Sequence, residues 1–160
     1  MGVLNRPIMR TVRPNVAPAA GGEFSFIPKS GGGWLVLTMR FILQASAAVA
    51  NREVSLRLTD SENAYAQFGA TTIQTANQGI AYVAYPGASN GANIGTLKTV
   101  DWPTLGLWVP PGHVLSSATT SMQGADQYSL IFARVIEYPS GPNSELWPLG
   151  PTTPMPAELL

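Results

Sequence analysis

The amino-acid sequence predicts an all-β protein: a two-sheet antiparallel sandwich, jelly-roll-like, with extended N- and C-terminal arms. Three observations lead there. Apolar residues recur at every second position through the middle of the chain, and turn clusters such as TDSEN, PGASNGAN, PPGH and MQGAD separate those runs. Prolines gather at the ends, with four in the first 28 residues and six in the last 22. Proline fixes φ and lacks an N–H, so it is excluded from paired central strands and favours extended or turn segments. The chain therefore divides into an arm over residues 1–30, a sandwich core over 31–138 and a second arm over 139–160.

The N-terminal arm carries Arg6, Arg10 and Arg13 in its first 13 residues and no acid there. The first long strand is GWLVLTMRFILQA, in which Leu35, Leu37, Met39, Phe41 and Leu43 are all large and apolar while Thr38, Arg40 and Gln44 alternate with them. This pattern places one face on a core. QASAAVAN, residues 44–51, reads either as a helical turn or as a strand-to-strand crossing. REVSLRLTD then repeats the alternation, with Val54, Leu56 and Leu58 on one face and Glu53, Ser55, Arg57 and Thr59 on the other.

Shorter strands are expected over 64–68, 71–75, 79–85, 95–100, 105–109 and 113–120. The final strand, Gln127 to Tyr138, is apolar on both faces, with Leu130 and Phe132 on one side and Ile131, Ala133 and Val135 on the other. A strand of that kind is covered by two layers or by another subunit. The C-terminal arm ends the chain with Leu146, Trp147, Leu149, Leu159 and Leu160 among its prolines, and with acids but no lysine or arginine. Disordered tails are poor in such side chains, so a partner surface is expected to cover them.

Composition narrows the function. The 160 residues have a formal net charge of zero and only 11 % charged residues, so no direct nucleic-acid or membrane-surface attraction is expected. The chain has no cysteine, which removes disulfides and thiolate metal sites. Proline and arginine interrupt the first twenty residues, so a cleaved secretory signal is not expected, and the apolar stretch from Trp34 to Ala50 holds Arg40 and Gln44 and is too short and polar to span a bilayer. A soluble protein is the expectation.

The same reading finds no catalytic constellation. His113, the single histidine, lies in a Pro-Gly turn with no nameable partner, and Asp60 and Glu62 read as a solvated turn rather than a calcium loop or a glycosidase pair. There is no GxSxG elbow, no zinc spacing, and no lysine in the glycine-rich runs SGGGW and PGASNGAN. No cofactor or metal is expected, and an enzyme is not. Trp34, Trp102, Trp108, Tyr65, Tyr82 and Tyr85 are candidates for an aromatic platform, which would suit a carbohydrate-binding module with Trp102 or Trp108 at its centre.

Two stretches, GGGWLVLTMRFILQASAAVANREVSLRLTD and WVPPGHVLSSATTSMQGADQYSLIFARVIEY, stand between proline-rich arms. Within them are the Ser-Ala-rich link from Ser46 to Arg52, a Pro-Pro-Gly before a polar strand, and Gly124, Asp126 and Tyr128 before the last strand. Over roughly residues 30 to 138, this pattern resembles small jelly-roll structural proteins of tailed bacteriophage virions, most of all capsid decoration or cement proteins. The resemblance implies a non-enzymatic subunit on the outer capsid surface, made in the host cytoplasm. Its implied partners are the major capsid protein or other virion subunits and copies of itself, commonly as a homotrimer. Neck, tail or fibre subunits are the alternative within the same likeness. It carries over no catalytic residue, and it gives Arg6, Arg10, Arg13, Leu146, Trp147, Leu149, Leu159 and Leu160 a use as subunit-interface residues on extended arms.

Overall fold

The structure, a computed structural model, describes residues 7–14, 17–28, 32–60, 62–89, 91, 93–94 and 97–138. In chain order the strands are β1 (Ile8–Val12), β2 (Ser25–Phe26), β3 (Gly33–Gln44), β4 (Arg52–Thr59), β5 (Ala64–Gln74), β6 (Gly79–Ala84), β7 (Asn93–Ile94), β8 (Leu97–Thr99), β9 (Leu107–Val109), β10 (Val114–Thr120) and β11 (Gln127–Tyr138). A seven-stranded sheet has the order β1-β11-β3-β6-β8-β7, with β9 also pairing β3, and a four-stranded sheet has the order β2-β10-β4-β5. The expected sandwich is present. One pairing departs from the antiparallel expectation, because β6 and β8 run parallel.

Residues 45–51 form the crossing from β3 in the large sheet to β4 in the small one, with no helical turn. The two short strands expected over 64–68 and 71–75 are one strand, β5, bent where its register on β4 shifts between Glu53 and Ser55. The N-terminal region also differs from a free arm. Between Pro7 and Pro14, the prolines that bracket it, IMRTV pairs with β11 from Ile8↔Glu137 to Val12↔Ala133. Phe24 and Phe26 enter the core at 1 % and 2 % exposure. The sandwich therefore draws on residues well before 31. An edge strand needs partners on one side only, so prolines at its ends cost it nothing. Residues 139–160 lie outside the described residues.

The core is an aromatic cluster between the sheets. Phe24 lies 5.1 Å from Phe41 and 5.0 Å edge-on from Tyr128, and Phe41 stacks on Tyr82 at 5.3 Å. Leu43, Leu56, Leu115 and Val135 close around it, all at 1 % exposure or less. Tyr82 donates to the Gln74 carboxamide oxygen at 3.1 Å, and the Gln74 amide donates to the Leu43 and Gln78 carbonyls, so this buried polar chain is satisfied.

Two bulges re-aim the long central pair. On β11 the register on β3 slips between Ser129 and Phe132, where Leu130 is the extra residue with φ +47°. On β3 it slips between Thr38 and Val36, where Leu37 is extra. Past a bulge the pleat changes face. Met39, Phe41 and Leu43 point into the core as expected, but beyond Leu37 it is Val36 and Trp34 that are buried, while Leu35 and Leu37 keep access to solvent. The expected single stripe from Leu35 to Leu43 is thus corrected to two half-stripes on opposite parities.

The link and turn singled out in the sequence meet at one end of the sandwich. Arg52 and Asp126 are both fully buried, with Arg52 Nε 2.6 Å from Asp126 Oδ2 and Nη2 2.9 Å from Oδ1. The carboxylate also accepts the Ser46 N–H and hydroxyl and the Gln123 N–H, each at 2.8 Å. The guanidinium donates its remaining hydrogens to the Ala48 and Ala50 carbonyls. Burial alone pushes the Asp126 carboxyl up, but the bonds from Arg52, Ser46 and Gln123 outweigh it and hold the group well below the usual carboxylate range. Gly21 completes the junction: its N–H donates to the Asp126 carbonyl at 2.7 Å, and its φ of +73° brings it against Gly124. These residues tie three segments together, and their role is structural.

Candidate functional site: the outward face of the large sheet

The two outward faces of the sandwich differ in chemistry. On the small sheet, register places Ser116, Arg57 and Gln67 in one row, and Ala118, Ser55 and Gly69 in the next. The Gln67 amide donates to the Ser55 hydroxyl at 3.1 Å across that face. It is a polar surface with one large apolar exception, Ile73, which is 52 % exposed.

The large sheet presents the reverse. Pairing aligns Met9 of β1, Ile136 of β11, Leu35 of β3 and Trp108 of β9 in a single row across four strands. Tyr138 lies edge-on to Trp108 at 5.5 Å and extends the row at its end. The next row holds Thr11, Arg134 and Thr38, and the one after it Phe132, Arg40 and Val83, with Ile42 and Ala81 beyond. Met9 is exposed, and Ile136, Leu35, Trp108, Phe132, Ile42 and Val83 are half-buried, mostly against one another. The outward positions of β1, β11, β3, β6 and β9 hold no acid. Their cations are Arg40 and Arg134, both exposed, with Arg134 Nη2 3.3 Å from the Met9 sulfur.

Arg10 is corrected from the expected contact with a neighbour. Its Nε lies 2.9 Å from Glu137 of its own chain, a surface pair whose side chains are 56 % and 20 % exposed, because β1 pairing on β11 brings the two together. Arg13 is exposed just beyond β1. Arg6, Leu146, Trp147, Leu149, Leu159 and Leu160 lie outside the described residues. The two-sided apolar pattern of β11 did signal this face, through Phe132. Met9 and Leu35 carried no such signal, since the N-terminal pairing and the bulge at Leu37 are what turn them outward.

The aromatic platform does not assemble. Trp34, Trp102 and Tyr82 are buried at 5 %, 4 % and 0 %, and Trp102 Nε1 donates to the Val36 carbonyl at 3.3 Å. Tyr65 is exposed but sits at the opposite sheet, where its hydroxyl donates to Asp60 and its ring lies 5.2 Å from His113. The bonds from Tyr65 and from the Glu62 and Asn63 N–H groups lower the Asp60 carboxyl to about 2. All its acceptor directions hold the 60–65 turn, so it is a poor base. Among the described residues, no group of three or more His, Cys, Asp or Glu is placed to hold a metal ion.

What this arrangement offers chemically is a surface for another polypeptide: broad, weakly basic and rich in large apolar side chains. Comparison with known proteins supplies no relative, since no family model, no curated protein and no solved structure matches the chain.

Proposed function

We propose that this protein is a non-enzymatic structural subunit of a virion, a jelly-roll-like head decoration or cement protein. In this role it associates with copies of itself and with neighbouring capsid subunits, and reinforces the shell. The observation that carries the reading is the asymmetry of the two outward faces. A β-sandwich that works alone in water presents polar residues on both. Here the face built from β1, β11, β3 and β9 is apolar over several adjacent rows, the composition of a surface meant to be covered. The sequence likeness to phage structural proteins supplies the setting, and the terminal segments supply the reach.

The test replaces Phe132 and Ile136 by serine and threonine, side chains at home on a solvated strand. The double variant is expected to stay folded, to run at a smaller size in light scattering, and to be lost from assembled particles. Unchanged size together with unchanged incorporation would overturn the reading.

A further inference from the structure

We infer that the apolar outward face of the large sheet is the docking site for the C-terminal segment, residues 139–160, of a neighbouring copy. This inference rests on the assembly role proposed above and names the occupant of that face. The first argument is chemical complementarity. The face offers large apolar side chains flanked by Arg40 and Arg134, with no acid on the outward positions of β1, β11, β3, β6 and β9. The segment offers Leu146, Trp147 and Leu149 directly after Glu145, then Leu159 and Leu160 after Glu158, with no lysine or arginine anywhere in it. Each half holds the charge the other lacks.

The second argument is reach and direction. The 22 residues beyond Tyr138 include six prolines. Extended at ~3.1 Å per residue, such a segment spans about 70 Å, whereas strands ~4.8 Å apart make the whole sheet only about 30 Å wide. Tyr138 stands at the end of the Met9–Trp108 row, and β11 delivers the chain there pointing off the sheet, away from Arg134 and Arg40. Folding back onto its own face requires a reversal through Pro139 and Pro142. A segment arriving from another copy runs straight. Because every copy carries both the face and the segment, the contact is head-to-tail, the kind that closes into a ring when the rotation between subunits permits. Prolines have already fixed much of the backbone, so the ordering cost of docking is low.

The chain has no cysteine, so single thiols report proximity cleanly. Two full-length, differently tagged populations, one Thr38→Cys on the apolar face and one Ser144→Cys beside Glu145, are mixed, unfolded and refolded together, then oxidised. Disulfide-linked dimers carrying both tags are expected, and at least tenfold less product when Ser116→Cys on the polar sheet replaces Thr38→Cys. Arg134→Glu is expected to weaken association of the copies by up to about fivefold, restored in the Arg134→Glu/Glu145→Arg pair. Equal yield from Ser116→Cys, no product, or a link formed only within single chains of a Thr38→Cys/Ser144→Cys variant would each overturn the assignment. Particle incorporation is scored separately. Loss of incorporation on deleting 139–160 without cross-linking at Thr38 sinks this docking site and leaves the structural role standing, whereas normal incorporation of the face variants sinks the role itself.

Discussion

Asp126→Asn is the sharpest test of how this sandwich is held together. Both Asp126 and Arg52 have no exposed surface, and the carboxylate accepts from Arg52 Nε and Nη2, from the Ser46 N–H and hydroxyl, and from the Gln123 N–H. Asparagine keeps the shape but loses the charge, and it turns an NH2 toward two of those donors. The guanidinium is then buried without a counter-charge, which costs about 3–5 kcal/mol. Set against a total stability of ~5–15 kcal/mol for a typical domain, that is a large share. Denaturant titration is expected to show a much lower midpoint with an unchanged slope.

Arg52→Met is expected to cost less, because the remaining carboxylate still receives the Ser46 and Gln123 donors. The pH dependence follows from the depressed carboxyl. Its contribution is complete above the ordinary value of 3.8 and is lost as pH falls toward the folded value below it, so wild-type stability declines on acidification and Asp126→Asn lacks that part of the decline. A loss under ~1 kcal/mol for Asp126→Asn, or an acid limb unchanged in it, would refute the argument.

Three further outcomes are expected. Leu130 holds φ +47° at a bulge while 66 % exposed, so Leu130→Gly relieves a left-handed backbone at little packing cost and should stabilise by ~0.5–1 kcal/mol; a loss in the same assay would show that the leucine side chain holds the bulge. A Cβ on Gly21 would lie 2.8 Å from the Gly124 Cα, whereas one on Gly112 meets nothing within 4 Å, and both glycines have positive φ. Gly21→Ala should therefore cost about 2–3 kcal/mol and Gly112→Ala about 1, and equal losses by thermal melting would deny the close approach. In carboxyl NMR titration Asp60 should titrate near 2 and move up in Tyr65→Phe, the largest of its lowering causes; no movement would remove that hydrogen bond from the account.

Much of the fold was legible in the sequence because strand alternation is a local property. Met39, Phe41 and Leu43, or Val54, Leu56 and Leu58, are separated by polar residues whose period alone gives the buried face. The link from Ser46 to Arg52 and the turn with Gly124 and Asp126 were visible as words, yet their meaning was not: the partners stand 74 residues apart, and only the closed sandwich makes them one ion pair. Arg10 illustrates the same limit, since charge composition suggested an external partner and pairing of β1 on β11 supplied Glu137 instead.

By itself the sequence determined the class, the proline-bounded ends and which residues were able to alternate, because these depend on neighbours one or two positions away. The tertiary structure decided which face each residue took. One extra residue in a strand reverses everything after it, so the bulge at Leu37 moved Trp34 and Val36 inward and Leu35 outward. Four strands distant in sequence then placed Met9, Ile136, Leu35 and Trp108 in one row. Register between such strands is set by the summed burial of the whole sandwich rather than by any local signal, and that is why the apolar outward face emerged only with the fold.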